Sequence, residues 1–285
     1  IIGSADTYTT SNTITGTSEA DVLTGTSAAD LIEGLAGNDY IEAGAGNDVV
    51  RAGAATGAAA QDQRADSTAM TAADAGMTDV SGLLTAADAT HKGYGDLANG
   101  GAGNDALFAS GSGTHLLYGG AGNDYLLGGS DADALRGGAG NDRIEGGAGS
   151  DVMGGDLGAD VFAWSLGDQS SATGTTAAVA GNVHGVAEGT GLSSTTDLVT
   201  DFSKSEGDAL DLRDLLGGET HLGLDTGNLS NYLHFEVSNG NTVVHISTTG
   251  GFTDGTYDAS RENQTIVLQN VDLLHDGTTT LLNDN

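Results

Sequence analysis

Large apolar residues return at every ninth position over much of the chain. Leu23, Ile32, Ile41 and Val50 make one such run, and Leu126, Leu135, Ile144, Met153 and Phe162 make another, with Leu107 between them. Two places before each stands an aspartate, and the residue separating the two varies among Val, Leu, Tyr, Ala and Arg. Alternation of period two over so short a span predicts a three-residue strand with one face turned inward. The six preceding residues are turn formers, with glycines where positive φ is allowed.

The units read GLAGNDYIE (34–42), AGAGNDVVR (43–51), GGAGNDALF (100–108), GGAGNDYLL (119–127), GGSDADALR (128–136), GGAGNDRIE (137–145), GGAGSDVMG (146–154) and GDLGADVFA (155–163). GTSEADVLT (16–24) and GTSAADLIE (25–33) lead in without the paired glycines, and HKGYGDLAN (91–99) is a degenerate copy in register. The copy between Asp105 and Asp124, taken as 109–117, has Thr114 at the aspartate position. A nine-residue unit cannot bury its apolar residue alone, so repeats must stack. Two repeats per coil of a flattened helix give an interior ladder of apolar residues, and turns 18 residues apart meet along the same edge.

Stacking also brings like charges together. Asp21, Asp30, Asp39, Asp48, Asp96, Asp105, Asp124, Asp133, Asp142, Asp151 and Asp160 fall on the register, and carboxylates in file repel unless a cation lies among them. Calcium takes six to eight oxygens at about 2.3–2.6 Å, mixing carboxylates with carbonyls, and glycine-rich turns let carbonyls converge; magnesium prefers a stricter, partly hydrated octahedron. These aspartates are the candidate metal ligands, for roughly six to ten calcium ions. An EF-hand does not account for them, because Asp131-Ala132-Asp133 lacks the glycine and glutamate that such a loop requires.

Composition agrees. The 285 residues carry 40 Asp plus Glu against 8 Lys plus Arg, a formal charge of −32 that disfavours binding to nucleic acid or anionic lipid. No apolar run is long enough for a membrane span. There is no cysteine, so thiolate metal sites and disulfides are excluded, and no proline. The opening IIGSADTYTT has no secretory signal pattern.

The pattern G-G-x-G-x-D-x-U-x, in which U is a large apolar residue, resembles the RTX (repeats-in-toxin) calcium-binding family. The resemblance covers residues 16–51 and 91–163. It implies an all-β parallel β-roll, with the sixth-position aspartates as ligands and turn carbonyls completing each shell.

Residues 54–90 break the register. Their alanine content predicts an insert carrying one or two helices. Residues 168–195 read as a long loop. From Thr196 the texture changes. TDLVTDF (196–202) and QTIVLQNVDLL (264–274) read as strands, and NYLHFEVSNGNTVVHIS (231–247) as a hairpin turning at Asn239-Gly240. Phe202, Leu210, Leu212, Leu233, Phe235, Val244, Ile246, Ile266 and Leu268 are expected in the core, with Trp164 sealing the last coil. Asp197, Asp208 and Asp211 are equally suited to extra ligation or to turn roles. The organisation expected is a lead-in or cap over 1–15, a roll over 16–163 interrupted at 54–90, and a capping, β-sandwich-like region over 164–285.

VFAWSLGDQ (161–169), DLVTDF, EGDALDLRDLL, NYLHFEV and QTIVLQNVDLL are similar to the C-terminal target region of large type I-secreted bacterial adhesins. That resemblance implies an uncleaved secretion signal at or near 275–285, export to the cell exterior and a partner in the type I secretion machinery. No metalloprotease helix, nucleophile elbow or phosphate loop is present, so no catalytic residue and no organic cofactor is expected. His184, His221, His234, His245 and His275 show no partner in sequence beyond a cross-hairpin pairing of His234 with His245. The leading expectation is a calcium-binding module that folds outside the cell and supports surface or biofilm attachment. The alternatives are the non-catalytic tail of a secreted protease or lipase, and a calcium-dependent glycan-binding module.

Overall fold

A computed structural model describes residues 10, 12–37, 39–53, 96–110, 115–130, 132–168, 195–220, 228–253 and 256–274. Strands alternate between two sheets. The first holds β1 (Asn12–Thr15), β3 (Asp30–Glu33), β5 (Val49–Gly53), β7 (Ala106–Ala109), β9 (Tyr125–Ser130), β11 (Arg143–Ala148), β13 (Val161–Ala163) and β15 (Ala209–Asp211) in that spatial order. The second runs β2 (Val22–Thr24), β4 (Tyr40–Glu42), β6 (Leu97–Ala102), β8 (Leu116–Ala121), β10 (Ala134–Ala139), β12 (Val152–Leu157), β14 (Thr195–Val199), β18 (Gln264–Leu268), β17 (Asn241–Ile246) and β16 (Leu233–Ser238). Every pairing is parallel except in the terminal β16–β17–β18 meander. Two repeats therefore make one coil, and the molecule is a parallel β-roll.

The inward residue of each strand is fixed by the alternation. Ile32, Val50, Leu107, Leu126, Ile144 and Phe162 from the first sheet face Leu23, Ile41, Leu117, Leu135, Met153 and Val199 from the second in one buried cluster. Six strands between β6 and β12 are six residues long rather than three. The glycines opening the next turn stay paired, as in Gly129 with Gly147, so the hydrogen-bonded run carries into the following repeat. At the fourth position of the GGAGND turns a side chain would clash: Gly122 has φ +140°, and a Cβ there would land on the Gly103 carbonyl one coil away.

The break at 54–90 does not interrupt the roll. β4 pairs directly with β6, and β5 with β7, on either side of it. The expected helical insert lies outside the described residues, as do the middle of the 168–195 loop, His184, His221, His275 and the segment 275–285. No α-helix occurs among the described residues.

The C-terminal strands are grafted onto the roll's own sheets. β15 extends the first sheet beside β13, β14 extends the second beside β12, and β18 lies parallel to β14. The described strands of the expected β-sandwich-like cap continue the roll's sheets, because parallel addition pairs the last coil's open edges. The hairpin turns where the sequence places it, with Asn239 at φ 52° and Gly240 at φ 84°. Trp164 is buried in the main cluster with Phe202, Leu212 and Leu215. His234 and His245 stand opposite each other across the hairpin. His245 Nδ1 lies 2.8 Å from Glu262 Oε1, and the Tyr257 hydroxyl donates to Glu262 Oε2 at 2.6 Å, so this histidine belongs to a packed polar network.

Replacing Leu126 by Ala removes a fully buried side chain between two coils. In saturating calcium it should cost about 2–5 kcal/mol in denaturant unfolding, whereas Leu127→Ala, on the partly exposed face of the same strand, should cost under about 1 kcal/mol.

Candidate metal centre

The sixth-position residues form two hydrogen-bonded files, one along each edge. In each, a backbone N–H donates to the carboxylate one coil further on. On the first-sheet edge Asp30 donates to Asp48 (2.7 Å), Asp48 to Asp105 (2.7 Å), Asp105 to Asp124 (2.8 Å), Asp124 to Asp142 (2.8 Å), Asp142 to Asp160 (2.8 Å) and Asp160 to Asp208 (3.0 Å). On the other edge Asp21 donates to Asp39 (3.0 Å), Asp39 to Asp96 (2.9 Å), Asp133 to Asp151 (2.8 Å) and Asp151 to Asp197 (2.8 Å).

Between Asp96 and Asp133 the rung is His115. Its backbone N–H donates to Asp133 Oδ1 at 2.7 Å. This corrects the expected placement of Thr114 at the aspartate position. Leu116 pairs with Ala134 and Leu117 with Leu135, which sets His115 opposite Asp133. The extra residue of this long repeat falls between Phe108, which pairs with Leu127 at an offset of 19, and Leu116, which pairs with Ala134 at an offset of 18.

One carboxylate oxygen, Oδ1, is thus used along each file. The other separates the rungs into classes. Oδ2 of Asp39, Asp48, Asp96, Asp105, Asp124, Asp142, Asp151 and Asp160 is buried with no hydrogen-bond donor, although at Asp96 the His115 ring stands 3.2 Å away. Asp39, Asp105, Asp124, Asp142, Asp151 and Asp160 each face the glycine opening their own turn, a place held by Ala43 in the turn of Asp48. A Cβ on Gly100 would fall 2.6 Å from Asp105 Oδ2 and 2.6 Å from the Gly119 carbonyl, so the missing side chain leaves a point on which oxygens from two coils converge. Asp133 Oδ2 lies in the same position against Gly128.

At the ends of the files protein donors fill that role. Thr17 donates to Asp21 Oδ2 from its backbone N–H (2.5 Å) and hydroxyl (2.9 Å), and Thr26 does the same for Asp30 (2.6 and 2.9 Å). Asn12 in turn donates to Asp30 Oδ1 (2.6 Å), closing the file from the β1 side. Asp197 Oδ2 accepts from Trp164 Nε1 (2.6 Å) and Gln264 (2.8 Å), and Asp208 Oδ2 from the Ser203 N–H (2.8 Å). Asp211, the third residue equally suited to ligation or a turn, is held by Arg213 and Arg143.

Charge follows the same division. Burial pushes the Asp124 carboxyl up to about 8, aided by the neighbouring Asp142 and Asp105, against a lowering hydrogen bond from Asp105. Burial likewise raises Asp39, Asp105 and Asp142 to about 7 and Asp48 and Asp160 to about 6. Asp151, deeply buried beside Asp197, is raised as well. Asp30 goes the other way: burial raises it, but Asn12 and Thr26 outweigh that and hold it below the usual carboxylate range. Burial thus dominates at these interior carboxyls, whereas the first rung of the β1 edge has donors enough.

The donor set suits a hard cation bound largely by the backbone. No group of three or more His, Asp or Glu side chains gathers around one point among the described residues, so each rung offers a carboxylate oxygen plus turn carbonyls. A third file, of asparagines and not anticipated from the repeats, braces the first-sheet turns. Asn47 Oδ1 accepts from the Asn104 N–H (2.9 Å), Asn104 from Asn123 (2.8 Å), Asn123 from Asn141 (2.7 Å) and Asn141 from Ala159 (2.9 Å). The recurring asparagine before the aspartate was its signal.

No curated protein matches the chain significantly. A family model described as the RTX calcium-binding nonapeptide repeat matches residues 7–40, 24–55, 93–126, 116–135 and 127–162. These spans coincide with the coils whose turns form the two files, and the chain carries an RTX calcium-binding repeat region folded as a parallel β-roll.

Proposed function

We propose that this chain is a calcium-dependent folding module of a large, type I-secreted bacterial adhesin. The observation that carries the calcium reading is the row of buried Oδ2 atoms without donors on both edges. Asp39, Asp48, Asp105, Asp124, Asp133, Asp142, Asp151 and Asp160 are the proposed ligands, each with turn carbonyls. Asp21 and Asp30 start the files on threonine donors, and Asp197 and Asp208 end them on Trp164, Gln264 and Ser203.

Linkage then gives the module its behaviour. Metal-free, the stacked carboxylates repel, and an extended chain suits passage through a narrow export channel. Outside the cell, calcium binds only the stacked form. A site with calcium at ten times its dissociation constant stabilises that form by about 1.4 kcal/mol, and extracellular modules have constants of ~10⁻⁴–10⁻³ M. RTX repeats are typical of secreted proteins. The adhesin context is supported by the resemblance of segments between 161 and 274 to adhesin target regions. On this reading 1–15 leads in, 16–163 is the roll with its insert at 54–90, and 164–285 caps it and carries or adjoins the export signal. No helix among the described residues is long and apolar enough to cross a membrane.

In chelator at neutral pH the chain should be largely unordered by circular dichroism, and millimolar calcium should bring up the β-sheet signal. Identical spectra in the two conditions would overturn the proposal.

In chelator the pH response has a defined sign. The file carboxyls are raised in the folded state from 3.8 to about 6–8, so the fold holds more protons than the unfolded chain. The penalty on the metal-free roll is full above about pH 8 and is relieved as pH falls towards 4. Acidification without calcium should therefore recover β-signal across that window, and calcium should abolish the dependence.

A passenger protein fused ahead of residues 164–285 should reach the medium only in cells with a type I secretion apparatus. Export independent of that apparatus would remove the secretion assignment and leave the calcium reading standing.

A further inference from the structure

The second-sheet edge holds one rung that is not a carboxylate. Counted back from β8, residues 110–118 read Ser-Gly-Ser-Gly-Thr-His-Leu-Leu-Tyr, with glycine at the second and fourth positions, a large apolar residue at the eighth and His115 at the sixth. The unit is a repeat in all but its ligand. The His115 side chain is fully buried.

Its ring makes two contacts with the rung before it. Nδ1 lies 3.2 Å from the backbone N of Asp96, where Oδ1 lies at the other rungs, and 3.2 Å from Asp96 Oδ2. At rungs such as Asp105 and Asp124, Oδ2 is the oxygen that faces the glycine at the start of the turn. With a bare Nδ1 the ring accepts the Asp96 N–H; with a proton there it faces the carboxylate. In either form the imidazole stands against the oxygen that a cation would need. The sequence before Asp96 departs too: the first, second and fourth residues of its repeat are His91, Lys92 and Tyr94, where the regular repeats have glycine.

We propose that His115 takes the place of a calcium rung, holding Asp96 in its stead and dividing the calcium file of this edge. Asp39 lies on one side of the gap and Asp133 and Asp151 on the other, while the opposite file runs unbroken from Asp48 to Asp160. The proposal rests on the calcium reading of the repeats, and it makes the two edges unequal in metal content.

The test counts calcium by elemental analysis and calorimetry on the full chain in saturating calcium, with circular dichroism to establish folding. Asp124→Asn should lose at least one calcium relative to the unaltered chain, Asp96→Asn should keep the full count, and His115→Asp should gain at least one. Loss at Asp96→Asn equal to that at Asp124→Asn overturns the proposal, as does a folded His115→Asp that gains none. If His115→Asp fails to fold, the Asp96→Asn and Asp124→Asn comparison decides alone. If neither the unaltered chain nor Asp124→Asn binds calcium, the underlying reading of the repeats has failed instead.

Discussion

Everything in this fold depends on how a buried carboxylate oxygen without a donor is neutralised. Parallel stacking of nine-residue units places an aspartate from every coil on one of two edges. Backbone N–H groups satisfy Oδ1 at each rung, as between Asp105 and Asp124, but geometry leaves nothing of the protein for Oδ2. A buried charge without a partner is among the most costly features a fold can contain. The apolar ladder can form only where that charge is met, so core and metal edges are two consequences of one stacking event.

The ends of the files make the point by contrast. Where a file starts or stops, donors from the chain reach Oδ2: Thr17 and Thr26 at one end, Trp164, Gln264 and Ser203 at the other. Trp164 closes the apolar ladder and, through Nε1, also closes an electrostatic one. Asp201 acts similarly on the last turn, accepting from the Gly155 and Asp156 N–H groups where a further coil would have supplied acceptors. Extending the sheets through β14 and β15 therefore terminates hydrophobic, hydrogen-bonding and charge patterns together.

The repeat period, the inward residues and the pairing of alternate strands were all legible in the sequence, because a fixed nine-residue offset leaves one way to face Ile41, Leu135 and Ile144 inward. The rung at 115 was not. An aspartate count reads 109–117 as the missing copy, whereas the apolar pair Leu116 and Leu117 sets the register in space and puts His115 on the rung. The distinct fates of Asp30, Asp124 and Asp197 were likewise hidden. Each occupies an equivalent rung of the stack, and they differ in what stands near Oδ2, which for Asp197 is a tryptophan 33 residues away in sequence. Local patterns carry positions; they do not carry partners brought in from other coils.

The absence of proline follows from the same ladder. Along one turn the N–H of Gly122 donates to the Ala139 carbonyl, that of Asn123 to Asn104 Oδ1, that of Asp124 to Asp142 Oδ1 and that of Tyr125 to the Asp105 carbonyl. Four consecutive donors thus reach neighbouring coils on both sides. Proline lacks the N–H at whichever of these places it enters, and the acceptor it abandons is a stacked carbonyl, an asparagine of the bracing file or a carboxylate that already lacks one partner. At the turn's fourth position its fixed negative φ would also conflict with the +140° of Gly122. A nonapeptide that stacks this way has little room for the residue that usually punctuates turns, and glycine, 48 times in this chain, takes over the turn-forming role.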